Sequence, residues 1–169
     1  VPLSRRQLLV LASAPPLLAA AGAAGVAGSW FLQRPAPPLR FLSTAEAATV
    51  RALCGAAWPA TTACPLDGAD ADLDAYLDEL MASLGGLQRD GIRMLLHVIE
   101  ELPLATDGDR FGALPRDRQA ALLQSWLDSD QATVRSALVS VVILTGMGYT
   151  THPDAAATFG SLYRCRYGR

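Results

Sequence analysis

The chain contains no lysine; all 14 of its basic residues are arginine, a compositional bias that by itself excludes no chemistry. Other absences exclude more. The three cysteines, Cys54, Cys64 and Cys165, form neither CxxC nor CxxCH, which rules out a zinc ribbon, a thioredoxin-type redox pair and covalent c-type haem within this chain. There is no Ser–His–Asp context, no phosphate-binding loop and no recognisable motif of paired carboxylates. No run alternates as a half-buried strand would, and no segment repeats. Clustered basic charge is missing too. Residues 41–169 carry 16 acids against 10 arginines, a net charge of −6, so the chain lacks the electrostatic footprint of a nucleic-acid binder.

What is present begins with an apolar front. Residues 7–33 carry no charge, and the 25 residues Leu8–Leu32 would span about 37 Å as a helix, more than the ~30 Å of a bilayer core. The stretch is mostly alanine, glycine and serine and is broken by Pro15-Pro16, which would kink a helix. Low hydrophobicity behind paired arginines is the pattern of a twin-arginine export signal. Ser4-Arg5-Arg6-Gln7-Leu8-Leu9 fits it, with Arg5 and Arg6 as the signal residues. Small-residue cleavage sites follow at Ala21-Gly22-Ala23 and Gly25-Val26-Ala27. The alternative is an uncleaved anchor whose arginines obey the positive-inside rule. Gly22, Gly25 and Gly28 follow no strand and therefore mark no dinucleotide fold, but would suit helix packing in a membrane. "QRPAPPLR", residues 33–40, reads as a proline-rich linker. The expected organisation is a signal or anchor helix over 1–32, a linker over 33–40 and one helical domain over 41–169.

Within that domain, "LSTAEAATVRALCGAAWP" offers Ser43 or Thr44 as N-cap, with Glu46 near the first turn and a stop before Pro59. The next helix places Leu73, Tyr76, Leu77, Leu80 and Leu84 on one face and ends at Gly85-Gly86. A third repeats the spacing with Ile92, Leu95, Leu96, Ile99 and Leu102. A fourth opens at Pro115 and buries Leu122, Leu123 and Trp126. "QATVRSALVSVVILTGMGY" is apolar almost all round and is expected to be the central buried helix. The fold class is all-α, an irregular bundle of about five helices.

Candidate metal ligands are sparse. Asp70, Asp72 and Asp74 have the first spacings of an EF-hand loop, but Ala75 stands where glycine is needed and Met81 where the closing glutamate belongs. A helix start rich in aspartate is favoured by the helix dipole anyway. His97, Glu100 and Glu101 could begin a carboxylate–histidine site, yet a di-iron bundle needs Glu-x-x-His twice, and the one other histidine is His152. Arg93, His97 and Glu101 stand four apart, which a surface ladder of helical pairs explains. The three cysteines leave two options open, a disulfide between two of them or three buried thiols.

Taken in order, "LSTAEAATVRALCGAAWP" (42–59), "LDAYLDEL" (73–80), "LLHVIEELP" (95–103), "RFGALPRDRQAALLQSW" (110–126) and "GYTTHP" (148–153) resemble the small subunit (subunit 3) of gluconate 2-dehydrogenase. The resemblance implies a non-catalytic subunit of a periplasmic, membrane-associated dehydrogenase, with no cofactor in this chain. It implies FAD in a catalytic partner of the glucose–methanol–choline type and haem c in a multihaem cytochrome. It also implies an escort role: the flavoprotein folds around its cofactor in the cytoplasm and crosses on this chain's signal through the twin-arginine translocase, which accepts folded cargo. The partner surface is expected to include exposed apolar side chains, with Trp58, Phe111 and Tyr149 as candidates. The competing readings are a stand-alone exported or anchored helical interaction protein and a metal-dependent activity centred on His97.

Overall fold

The computed structural model describes residues 32–162. Arg5, Arg6, the expected signal helix and Cys165 lie outside the described residues. Six α-helices and no strand occur among the described residues: α1 (Thr44–Ala57), α2 (Leu73–Ala82), α3 (Gly86–Glu101), α4 (Arg116–Leu127), α5 (Ala132–Thr151) and α6 (Pro153–Leu162). Single 3-10 turns stand at Gly68–Asp70, Leu102–Ala105 and Phe111–Ala113. The all-α expectation holds, with one helix more than the sequence suggested; α6 begins at Pro153, where a missing N–H is harmless.

The start of α1 follows from its sequence. Ser43 caps it, its hydroxyl accepting the Glu46 N–H at 3.3 Å while Glu46 accepts the Ser43 N–H at 2.7 Å. This reciprocal box satisfies two amides that a helix start otherwise leaves open. α1 is the hub of the body and packs against α2, α3, α4 and α5. Val50, Leu53 and Cys54 on it are fully buried, as are Leu42, Leu77, Met81, Leu96 and Phe111 around it. Close approach at the end of α1 depends on Gly68, where a Cβ would fall 2.2 Å from the carbonyl oxygen of Cys54.

The expected central helix is peripheral. α5 buries Leu138, Val141, Thr145 and Tyr149 along one side, whereas Ile143 and Met147 are 56% and 53% exposed. Hydropathy reports how much of a helix is apolar, not how many sides have neighbours, and α5 packs on α2, α4 and α6 while touching α1 more lightly. Residues Val134–Thr151 are long and apolar enough to cross a membrane by length and composition, but a core helix passes the same test. On α2 the stripe is also rotated: Leu73, Leu77 and Met81 are buried together with Asp74 and Asp78, and Tyr76, Leu80 and Leu84 are only half-buried.

The compact body begins at Pro35, so residues 35–40 of the expected linker belong to it. Asp78 holds them. Its Oδ2 accepts the Arg40 N–H at 2.8 Å, and its Oδ1 accepts the Phe41 and Leu42 N–H groups at 2.8 and 2.9 Å. The Phe41 ring lies under the Arg89 guanidinium, 4.7 Å from its centroid, a cation–π contact. Replacing Asp78 by Ala leaves three amides without their acceptor. We expect Asp78→Ala to cost about 3 kcal/mol in urea unfolding, with Asp78→Asn intermediate; a loss below about 0.5 kcal/mol would show the strap to be held by something else.

Candidate interaction surface

A polar seam fixes how α3 meets α1. Glu46 is fully buried on α1, and its Oε1 lies 2.8 Å from Arg93 Nε and 3.1 Å from His97 Nε2 on α3. One turn further along, Glu100 accepts the Thr49 hydroxyl and the Gly112 N–H through Oε2, each at 3.1 Å. These bonds require Arg93, Leu96, His97 and Glu100 to face α1. His97 is therefore a core residue, 6% exposed, not a rung of a solvated ladder; its partner is 51 positions away in sequence, which helical spacing cannot reveal. Burial pushes the His97 imidazole below its ordinary pKa, although Glu46 pulls the other way.

Among the acidic-run candidates, Asp72 is exposed and Asp74 is not. Asp74, at the start of α2, is 5% exposed and pairs with Arg51 at 2.6 Å, so this part of the acidic run is a buried anchor and not a solvated edge. Asp72 is left-handed, with φ 48°. Burial would raise the Asp67 carboxyl, but the Ala69 N–H, the Arg116 guanidinium and the Ala60 N–H hold it below its ordinary range. No group of three or more His, Cys, Asp or Glu side chains is placed to hold a metal ion among the described residues.

Two of the three aromatic candidates for a partner surface belong to the core. Phe111 is 0% exposed and packs on Trp126, with ring centroids 5.9 Å apart. Tyr149 is 4% exposed; its hydroxyl donates to the Leu66 carbonyl at 2.8 Å, lies 3.2 Å from Cys64 Sγ, and has its pKa pushed up to about 12 by burial and the Cys64 contact. Trp58 is half-buried and stacked on Tyr149 at 5.4 Å. The ring of Tyr76 also presses on α5 at Gly148, where a Cβ would lie 2.4 Å from it. Cys54 and Cys64 are both free thiols, not joined to each other, and burial raises Cys54 to about 12, which removes it as a nucleophile.

Turning one face of α3 inward turns the opposite one out. Met94, Val98 and Leu102 are 50%, 41% and 44% exposed. Together with Gly91, Trp126 of α4, and Val134, Ala137 and Leu138 of α5, they line a groove of about 430 Å³. Its walls are carbon almost throughout, and Leu87 and Leu104 extend the exposed apolar surface of this region of the chain, at 86% and 42%. The sequence pointed to Leu102 and Trp126 as core; it missed Met94 and Val98. The available signal was the breadth of the apolar arc in "GIRMLLHVIEELP", wider than the stripe that one packed face requires.

No protein-family model matches the chain, and no curated protein or solved structure matches it either.

The buried imidazole yields a pH prediction. An unfolded chain protonates His97 near its ordinary pKa of about 6.5, whereas the folded chain resists until lower pH. The unfolded state thus binds more protons in that window, and the contribution of neutral His97, complete above about pH 6.5, is lost as pH falls. The urea midpoint should drop between about pH 7.5 and 5.5, and drop less in His97→Gln; parallel profiles for the two proteins would refute the assignment.

Proposed function

We propose that this chain is the non-catalytic small subunit of a periplasmic, membrane-associated flavoprotein dehydrogenase of the glucose–methanol–choline type, and that it serves export, assembly and stabilisation of the catalytic subunit. The observation that carries the reading is the open apolar groove on a helical body whose other apolar residues are largely packed. Met94, Val98 and Leu102 are already about half buried, so covering one with a partner would be worth roughly 1 kcal/mol per side chain, about half the value for full burial. A contiguous patch of this kind on a soluble domain marks an interaction site.

The ordered resemblance to the gluconate 2-dehydrogenase small subunit supplies the partner. FAD then resides in the catalytic subunit and haem c in a multihaem cytochrome that takes electrons onward. The Arg5-Arg6 signal accounts for passage of a folded, cofactor-loaded cargo through the twin-arginine translocase, with membrane attachment through the N-terminal segment if it is not cleaved. The division of labour is physical: the flavoprotein must fold before export to retain its cofactor, and one signal on a docked helper moves both.

Co-expression with a flavoprotein dehydrogenase of the glucose–methanol–choline type from the same genome tests the escort role. FAD-loaded catalytic subunit should reach the periplasm with the wild-type chain and remain in the cytoplasm with Arg5→Lys/Arg6→Lys or with no small subunit. Normal export of the flavoprotein in the absence of this chain would refute the escort role and leave a stand-alone exported or anchored interaction protein as the better account.

A further inference from the structure

We infer that the hollow where the strap at residues 35–41 meets the start of α3 is a binding site for a phosphate group, held chiefly by Arg40 and Arg89. The inference does not depend on the accessory-subunit reading.

Three arginines line this hollow of about 250 Å³: Arg40 from the strap, and Arg89 and Arg93 from α3. Arg93 already has a counter-ion, since its Nε lies 2.8 Å from the buried Glu46 carboxylate. Arg40 and Arg89 enter no ion pair among the described residues. Asp90 also lines the hollow, but it is exposed and pairs with neither of them. The balance is two cations against one carboxylate, a positive spot on a domain at −6 over residues 41–169. Guanidinium groups gathered around one hollow repel one another until an anion enters.

The fold holds both arginines where an anion would meet them. Asp78 accepts the N–H groups of Arg40 and Phe41 at 2.8 Å each, which ties the backbone carrying them to α2. The Arg89 guanidinium carbon lies 4.7 Å from the centroid of the Phe41 ring, and this stacking sets the plane of its donor fork. Arg89 Nε is the one buried side-chain nitrogen or oxygen without a hydrogen bond among the described residues. A donor withdrawn from water with no acceptor is unfavourable, and an oxyanion in the hollow would supply one. The start of α3 adds to this. Its N-cap, Gly85, offers no side-chain acceptor, so the first-turn amides, Gly86 on the wall among them, are open to an anion.

The placement of the donors selects the class of anion. They come from two separate segments, the strap and the first turn of α3. A carboxylate offers two oxygens in one plane, whereas a phosphate offers tetrahedrally placed oxygens that forks on separate segments can engage together. Size limits what the phosphate is attached to. The hollow is smaller than the ~300–1,000 Å³ of pockets that enclose a drug-sized ligand, so it takes a phosphate group and not a whole nucleotide. A free phosphate and the headgroup of an anionic phospholipid present that group alike.

The test uses the purified full-length chain with inorganic phosphate as the probe, followed by titration calorimetry. One phosphate should bind per chain, and Arg40→Gln/Arg89→Gln should weaken it at least about tenfold, a difference of about 1.4 kcal/mol. Arg118→Gln, on α4 and outside the hollow, should leave it unchanged. Asp90→Asn should tighten binding by about two- to fivefold, the reach of one surface charge. Arg40→Gln alone keeps the test decisive if loss of the Arg89–Phe41 stack unfolds the double variant, because Arg40 is exposed; it should weaken phosphate by at least about threefold. Acetate should bind at least about tenfold more weakly than phosphate. Vesicles separate the two sources. Phosphatidylglycerol vesicles that retain the wild-type chain better than the double variant, while phosphatidylcholine vesicles retain both alike, would uphold the site and assign it to a lipid headgroup. Phosphate binding without that vesicle difference would uphold it and assign a soluble phosphate. Equal phosphate binding by the wild type and a folded double variant would overturn the inference. So would the absence of saturable phosphate binding, acetate binding as tight as phosphate, or loss of binding in Asp90→Asn.

Discussion

The carboxylate of Glu46 sets the geometry on which the rest of the body depends. Its side chain is wholly out of water and accepts from the Ser43 amide, the Arg93 guanidinium and the His97 ring. Removing one partner from a buried charge of this kind typically costs ~3–5 kcal/mol, because the other is left unsatisfied. The same oxygens thus close the first turn of α1 and fix the rotation of α3 about its own axis. Rotation is the important degree of freedom. With Arg93, His97 and Glu100 drawn toward α1, helical periodicity sends Gly91, Met94, Val98 and Leu102 to the far side. An exposed apolar groove is the geometric consequence of a buried ionic seam.

Acids elsewhere act in the same manner. Asp78 gathers three consecutive amides at residues 40–42, Glu100 ties α1 and α3 to the turn at Phe111–Ala113, and Asp67 caps the turn at Gly68–Asp70 while binding Arg116. Each joins segments that are distant in sequence, accepting from amides, hydroxyls or guanidinium groups. The acidic composition thereby divides into two populations: interior fasteners, and solvent-exposed charges such as Asp90 and Asp130.

Much of this was legible in the sequence, and the failures share a cause. The cap at Ser43, the helix stop before Pro59 and the helical class followed from local rules, since the interactions behind them span three or four residues. His97 did not, because spacing to Arg93 and Glu101 on its own helix is visible while Glu46, 51 residues earlier, is not. α5 reads as the centre because its sequence is apolar on nearly every side; the centre is α1, whose Ala47, Gly55 and Ala56 admit neighbours closely without raising its hydropathy. Phe111 and Tyr149 were plausible contact residues by type, and tertiary packing buried both. The groove residues Met94 and Val98 were hidden in plain view, since an apolar arc too broad for one packed face looks in sequence like a better core helix.

The groove's position on α3 bears on how such a surface can persist. Side chains that are half exposed contribute little to holding the fold, so polar residues at 94 and 98 would cost the isolated domain little while abolishing an apolar contact. Their backbone belongs to the helix whose opposite face carries the ionic seam, so a partner docking there would meet a helical wall and not a loop. Stability and recognition are thus divided between two faces of a single helix: the charged face holds α3 in register, and that register presents the apolar face.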